Sequence, residues 1–337
     1  MNFSRFLFCS AAVLLLAASA FAQEPALQTI RVVSLPGRPL ALVVAEKQGI
    51  FARHGLAVQL TAMPNSKDLR GTLAEGKADL AYAAVDNAVA MVELAHADVQ
   101  IVMGGEGSLN DLFVQPEIKS IGDLRGKILI VDAVNTAYAL QLKKILLSKD
   151  LQAGRDYEIK AVGATPFRLV AMREHKEYAG SMLAPPTSLL ARRDGFVSLG
   201  STLDFIGPYQ AGGSFVLRPW AGAHAALLTH YLAACIEAQR WLMNPANKQA
   251  VIELLMQEAH LPADIAAETY QIEATSPGGW APDARFDLDG FRNVLKLRAE
   301  VEGSWGGKAP AVEKYYEPSY YQQALAILQQ ATEKSTH

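Results

Sequence analysis

The sequence predicts an α/β protein of two lobes, each a sheet flanked by helices, with a helical C-terminal tail. Three observations carry that reading. Short apolar runs alternate with amphipathic runs through the first two thirds of the chain, which is the pattern of βα units. No flexible linker, internal repeat or low-complexity stretch separates the two sets of units. From about residue 221 onward the periodicity is helical almost throughout, punctuated by Pro245, Pro262 and the Pro277-Gly278-Gly279 turn.

Taken in order, the chain starts with an export signal. Arg5 supplies a basic head, residues 6–18 form a short apolar run, and Ala20-Phe21-Ala22 sets small side chains at the −3 and −1 positions of a cleavage point before Gln23. Residues 1–22 therefore read as a cleaved secretory signal peptide. The run falls short of the roughly 20 apolar residues that a membrane span requires. Cleavage leaves Cys235, inside an apolar helical stretch, as a small core hydrophobe.

Strand-like runs follow at 30–35, 57–63, 80–83, 99–104, 127–131, 157–162 and 178–183. They interleave with helix-like runs at 40–48, 67–75, 87–95, 138–149, 167–174 and 187–193. Parallel sheets covered by helices on both faces are expected from that alternation. Without a linker the chain should cross between lobes and return, outward near 111–115 and back near 212–217. One lobe then comprises 23–113 with 212–337, and the other 114–211. Helices at 227–243, 246–258, 263–270, 288–302 and 319–333 should wrap the tail onto the first lobe.

Composition narrows the function. Of 337 residues 50% are apolar and 19% charged, so the chain folds into a globular body. The balance of 31 basic against 34 acidic residues offers no footprint for nucleic acid. Two cysteines exclude a disulfide scaffold and a Cys-rich zinc site. The seven histidines include no HExxH pattern, and GxSxG, GxGxxG and phosphate-loop motifs are all missing. No catalytic residue, metal or cofactor is expected.

Candidate binding residues sit where α/β sheets place ligands, beyond the carboxyl ends of strands and beside helix N-termini. Four junctions are small and polar: Pro36-Gly37-Arg38-Pro39, Pro64-Asn65-Ser66, Val85-Asp86-Asn87 and Asp132-Ala133-Val134-Asn135-Thr136. Gly163-Ala164-Thr165-Pro166 and Leu183-Ala184-Pro185-Pro186-Thr187 face the same cleft if the lobes close. The ligand set read from them is Arg38, Asn65, Ser66, Asp86, Asn87, Asn135, Thr136 and Pro185. Ser66, Asn87, Asn135 and Thr136 are also ordinary helix N-caps. Trp280, after two glycines, is in reach of the cleft, whereas Trp241 belongs to an apolar helix.

Residues 39–58 read PLALVVAEKQGIFARHGLAV, followed by Leu73-Ala74-Glu75-Gly76-Lys77-Ala78-Asp79-Leu80, by Lys119-Ser120-Ile121-Gly122-Asp123-Leu124-Arg125-Gly126-Lys127, and by Trp241-Leu242-Met243-Asn244-Pro245-Ala246-Asn247-Lys248. This ordered set resembles the nitrate/sulfonate/taurine-type periplasmic substrate-binding proteins of ABC importers, a family that also holds thiamine-pyrimidine-precursor proteins. The resemblance covers nearly the whole mature chain. It implies the two-lobed (type II) periplasmic binding protein fold, a periplasmic monomer, a small-molecule ligand, and a membrane permease with its ATPase as partners. A carboxylate or sulfonate is the favoured ligand, then a nitrogen heterocycle such as a pyrimidine. The alternatives are a synthase-like enzyme and a sensor that presents its ligand to a receptor. Asp86 departs from the Gly/Ser-rich loop of sulfonate binders, since a carboxylate repels an anion unless paired. Pairing with Arg38 and contact with a ligand donor are both open.

Overall fold

The computed structural model describes residues 26–37 and 39–335, so the signal segment and Arg38 lie outside the described residues. Strands β1 (Gln28–Ser34), β2 (Leu56–Ala62), β3 (Leu80–Ala84), β4 (Val99–Met103) and β10 (Gly212–Leu217) form one sheet in the order β2-β1-β3-β10-β4. Strands β5 (Asp111–Val114), β6 (Ile128–Val131), β7 (Glu158–Ala161), β8 (Tyr178–Leu183) and β9 (Val197–Ser201) form the other, in the order β7-β6-β8-β5-β9.

Both sheets are mixed, where the βα alternation implied parallel ones. Strand β1 runs parallel to β2 and β3, and β6 runs parallel to β7 and β8. The exceptions are β10, antiparallel to β3 and β4, and β5, antiparallel to β8 and β9. These are the two strands reached by crossing from the other lobe. A chain leaving the carboxyl edge of one sheet enters its neighbour at the facing carboxyl edge, so the entering strand must run backwards. The crossings themselves occupy 104–110 and 202–211, and β5 and β10 each lie wholly within one sheet.

Helices cover both faces of each sheet because their apolar stripes have no other place to go. On one face of the first sheet, Leu42 from helix Leu40–Lys47 shares a core with Tyr231 and Cys235 from Ala225–Met243 and with Tyr321 and Leu328 from Ser319–Ser335. Gly49, at φ 64°, turns the chain out of the first of these helices in a conformation that a side chain disfavours. The opposite face buries Leu69, Val89, Phe291 and Leu295 from helices Ser66–Ala74, Asp86–Ala95 and Leu288–Glu302. In the second sheet, Leu142 and Ile145 of Ala137–Leu147 pack on Leu129 and Val131, and Leu169 and Met172 of Thr165–Glu174 pack on Phe113 and Ile130. Each fully buried side chain of this size stabilises the fold by about 1.5–3 kcal/mol. No helix among the described residues is long and apolar enough to cross a membrane.

The tail also ties the lobes together. Ala137 and Leu140 of the second lobe share a core with Val294 and Leu297 of helix Leu288–Glu302. Lys144 Nζ lies 2.6 Å from Glu300 Oε2 at the rim of that contact. One edge of the interlobe space is thereby closed by packed helices, and the remainder is left as a cleft.

Candidate functional site

A cavity of about 460 Å³ lies in that cleft. Its walls come from strand ends of both sheets: Leu35–Gly37 after β1, Tyr82–Ala84 at the end of β3, Asp132 after β6, Ala164, Thr165, Pro166 and Arg168 after β7 and Ala184–Thr187 after β8. The crossing segment contributes Glu106 to Asn110, and the tail contributes Thr269 and Glu273 from helix Ala263–Thr275, then Gly278 and Trp280.

Of the eight residues expected to hold ligand, Pro185 lines the cavity and Arg38 lies outside the described residues, between the lining residues Gly37 and Pro39. The other six converge beside the cavity, in a seam between the lobes. Asn65 caps helix Ser66–Ala74, its Oδ1 accepting from Asp68 N at 2.9 Å. Ser66 Oγ donates to Asp132 Oδ2 and Thr136 Oγ1 donates to Asp132 Oδ1, both at 2.5 Å. Asp86 is fully buried and receives two hydrogen bonds from Arg298 Nη2, at 2.9 and 2.7 Å, and one from Nε at 3.1 Å. Arg298 also donates to the Asn135 carbonyl at 3.1 Å. Arg70 Nη1 donates to Asn87 Oδ1 at 3.0 Å and Nη2 to Asn135 Oδ1 at 3.4 Å. Among the described residues the partner of Asp86 is therefore Arg298. Helix starts with free N–H groups collect polar side chains whether the partner is a ligand or a protein group; here Ser66 and Asn135 find partners in the facing lobe, and Asn65, Asp86, Asn87 and Thr136 find theirs within their own lobe.

Three of these bonds span the lobes directly: Ser66 to Asp132, Arg70 to Asn135 and Arg298 to the Asn135 carbonyl. A fourth is Ala164 N to Pro64 O at 3.3 Å. The crossings are knitted by their own network. Glu106 O accepts from Ala211 N and Gly212 N at 3.2 and 3.1 Å, and Gln141 Oε1 accepts from Asn110 Nδ2 at 2.9 Å and Thr202 Oγ1 at 3.2 Å.

The sequence reading missed most of the cavity's polar wall. Arg168 is buried, its Nε and Nη groups donating to Ser181 Oγ, Gly163 O, Thr165 Oγ1 and Met182 O at 2.8–3.0 Å. Burial lowers its pKa, opposed by the charge of Asp132. Burial pushes the Glu106 carboxyl up to about 7 and, with the charge of Glu106 added, holds Glu273 well above the usual carboxylate range. Burial likewise pushes the Tyr138 hydroxyl up to about 12. Local signals existed for two of these residues. Glu106 stands among glycines directly after a strand, and Glu273 falls one turn beyond Thr269 on the buried stripe of its helix. Trp280, expected within reach of the cleft, lines it.

Two mixed α/β sheets facing each other across a ligand-sized cavity define the periplasmic binding protein fold. The model of the NMT1-like family matches residues 37–256, more than half of the chain, and the protein belongs to that family. Solved structures of similar fold include a protein of Bordetella bronchiseptica RB50, with a TM-score of 0.77 and 18% identity over 89% of this chain and 98% of that one. The periplasmic nitrate-binding protein NrtA of Synechocystis PCC 6803 superimposes at 0.73, with 11% identity over 90% of each chain. The alkanesulfonate-binding protein SsuA of Xanthomonas axonopodis pv. citri gives 0.69 and 18% over 88% and 100%. The desulfurization enzyme DSZB shares the fold at a TM-score of 0.60 and 13% identity, over 88% and 99%. No curated protein matches the chain.

Proposed function

We propose that the protein is the solute-binding component of an ABC importer. Exported to the periplasm by its signal segment, it captures a small polar organic solute in the interlobe cavity and presents it to a membrane permease with its ATPase. The observation that carries this reading is the cavity itself, walled by strand ends of both sheets, so that one ligand touches both lobes at once. Such a ligand stabilises the closed arrangement only through its differential contacts with the two states. The crossings at 104–110 and 202–211 act as the hinge, and the division expected at 113/114 falls inside β5 of the second sheet while that at 211/212 coincides with the start of β10. Ligand contacts fall to Asp132, Arg168, Pro185 and the tail residues named above.

Binding without turnover fits the buried thiol, since burial in the first core pushes Cys235 up to about 12 and away from nucleophilic reactivity. The kinship in fold with DSZB makes catalysis the competing reading, and the test separates them. Mature protein stripped of carried-over ligand by unfolding and refolding is screened by thermal shift against amines, carboxylates, sulfonates, nitrate, pyrimidines and amino acids. At 100 times its dissociation constant a true ligand stabilises by about 2.7 kcal/mol and raises the melting temperature by a few degrees. Recovery of the bound compound unchanged supports a binder, whereas its conversion overturns that reading.

A further inference from the structure

Among the described residues, four hydrogen-bond acceptors in the cavity wall have nothing to accept. Glu106 comes from the outward crossing and Glu273 from the tail helix, and both line the same space. Neither carboxylate has a hydrogen bond or an ion pair among the described residues. Room for Glu106 is built in: a Cβ on Gly212 would sit 2.6 Å from its Oε1, so the glycine leaves the carboxylate its place. Thr269, one helical turn before Glu273, is 2% exposed and its Oγ1 is unpartnered. Asn110 is 1% exposed; its Nδ2 is committed to Ser108 Oγ and Gln141 Oε1, and its Oδ1 is unpartnered.

The cavity's buried cation does not answer them. Arg168 spends its donors on Ser181, Gly163, Thr165 and Met182. Two half-buried carboxylates and two orphaned oxygens constitute a site that is short, among the described residues, of positive charge and of donors. The aromatic rings of Tyr82 and Trp280 line the same space, and ring faces attract cations.

Resting on the solute-binding reading, we infer that the ligand carries a positively charged, donor-rich nitrogen group, an ammonium or amidinium, held by Glu106 and Glu273 with Thr269 and Asn110 as further acceptors. Such a group lets both carboxyls ionise, where desolvation and their mutual repulsion otherwise favour the protonated forms. A bare carboxylate or sulfonate at the same place would add a third negative charge.

The test is calorimetric titration of the refolded protein at pH 8 with benzylamine, benzamidine, benzyl alcohol, benzoate and benzenesulfonate, which share one ring and differ in charge. Benzylamine or benzamidine should bind at least tenfold more tightly than benzyl alcohol and the two anions. Glu106→Gln and Glu273→Gln should each weaken the cations about tenfold or more, the scale of a charge-assisted hydrogen bond, and leave benzyl alcohol within twofold. Each glutamine variant should melt no lower than wild type without ligand, because a buried charge has gone. If one of them fails to fold, Thr269→Val supplies the same readout with a smaller loss. Cation binding that survives both substitutions unchanged overturns the inference. Binding of benzoate or benzenesulfonate in preference to the amines overturns it too, while leaving the solute-binding reading intact. Silence from all five probes overturns both.

Discussion

Glu106 is a residue whose surroundings set its behaviour more than its identity does. Its carboxyl is pushed up to about 7 because desolvation penalises the charged form and no cation among the described residues offsets the penalty. The folded protein therefore binds a proton that the unfolded chain has already lost between pH 4.5 and about 7. Stability should fall as pH rises through that window, by up to about 3 kcal/mol, and Glu273 pulls in the same direction. Urea unfolding of wild type and Glu106→Gln at pH 5 and pH 8 checks this: the variant should lose much less stability than wild type over that interval. Asp79, Glu93 and Glu237 act oppositely and lower down. Each is held below its ordinary pKa by basic or hydrogen-bonding neighbours such as Arg31, Lys314 and Arg53, so their contribution is lost only as the solution becomes more acidic. Asp86 shows the other outcome for a buried carboxylate. Arg298 satisfies both its oxygens, which makes it a fixed part of the seam.

At the scale of elements, local chemistry accounts for where helices begin. Asn65 caps helix Ser66–Ala74 through Asp68 N and returns a hydrogen bond from its own Nδ2 to Asp68 Oδ2 at 3.0 Å. Asn65→Ala should cost about 1 kcal/mol of stability and leave ligand affinity unchanged within twofold; a tenfold loss of affinity would show that Asn65 touches ligand. The Lys119–Lys127 motif has a comparable local cause. Asp123 Oδ2 accepts from Lys119 N at 3.1 Å and Ser120 N at 2.9 Å, and this caps the short turn of helix Ile121–Leu124 before β6. Both features are encoded within four residues, and that is why the motif was legible as a string of letters.

For the whole molecule, the question is what holds the lobes at their present separation. Among the described residues the bonds that cross the cleft are few, and the shortest is Ser66 Oγ to Asp132 Oδ2 at 2.5 Å. The packed contact of Ala137–Leu147 on Leu288–Glu302 is apolar and broad by comparison. Opening should therefore pivot about the crossings and that contact while the Ser66 side parts. Ser66→Ala should enlarge the radius of gyration of the ligand-free protein in small-angle X-ray scattering and weaken ligand several-fold, with the closed dimensions restored at saturating ligand. A variant indistinguishable from wild type in both measurements would show that this hydrogen bond does not hold the cleft shut.

The sequence by itself determined the elements. Strands from 30–35 to 178–183 and helices from 40–48 to 319–333 were readable because periodicity is a local property of neighbouring side chains. The family, too, was carried by short ordered motifs. The strands entered by crossing, β5 and β10, were read only as passages, and β9 (Val197–Ser201) went unread, its residues half-buried along their whole length and without clean alternation. The polar wall of the site was decided only by the tertiary structure. Asp86 finds Arg298 at a separation of 212 residues, and Glu106 meets Glu273 across the fold from a crossing segment and a tail helix. No local pattern marks such pairs. Polar helix starts at a cleft can serve a ligand or the facing lobe equally well, and only the packing of two lobes assigns each to one of them.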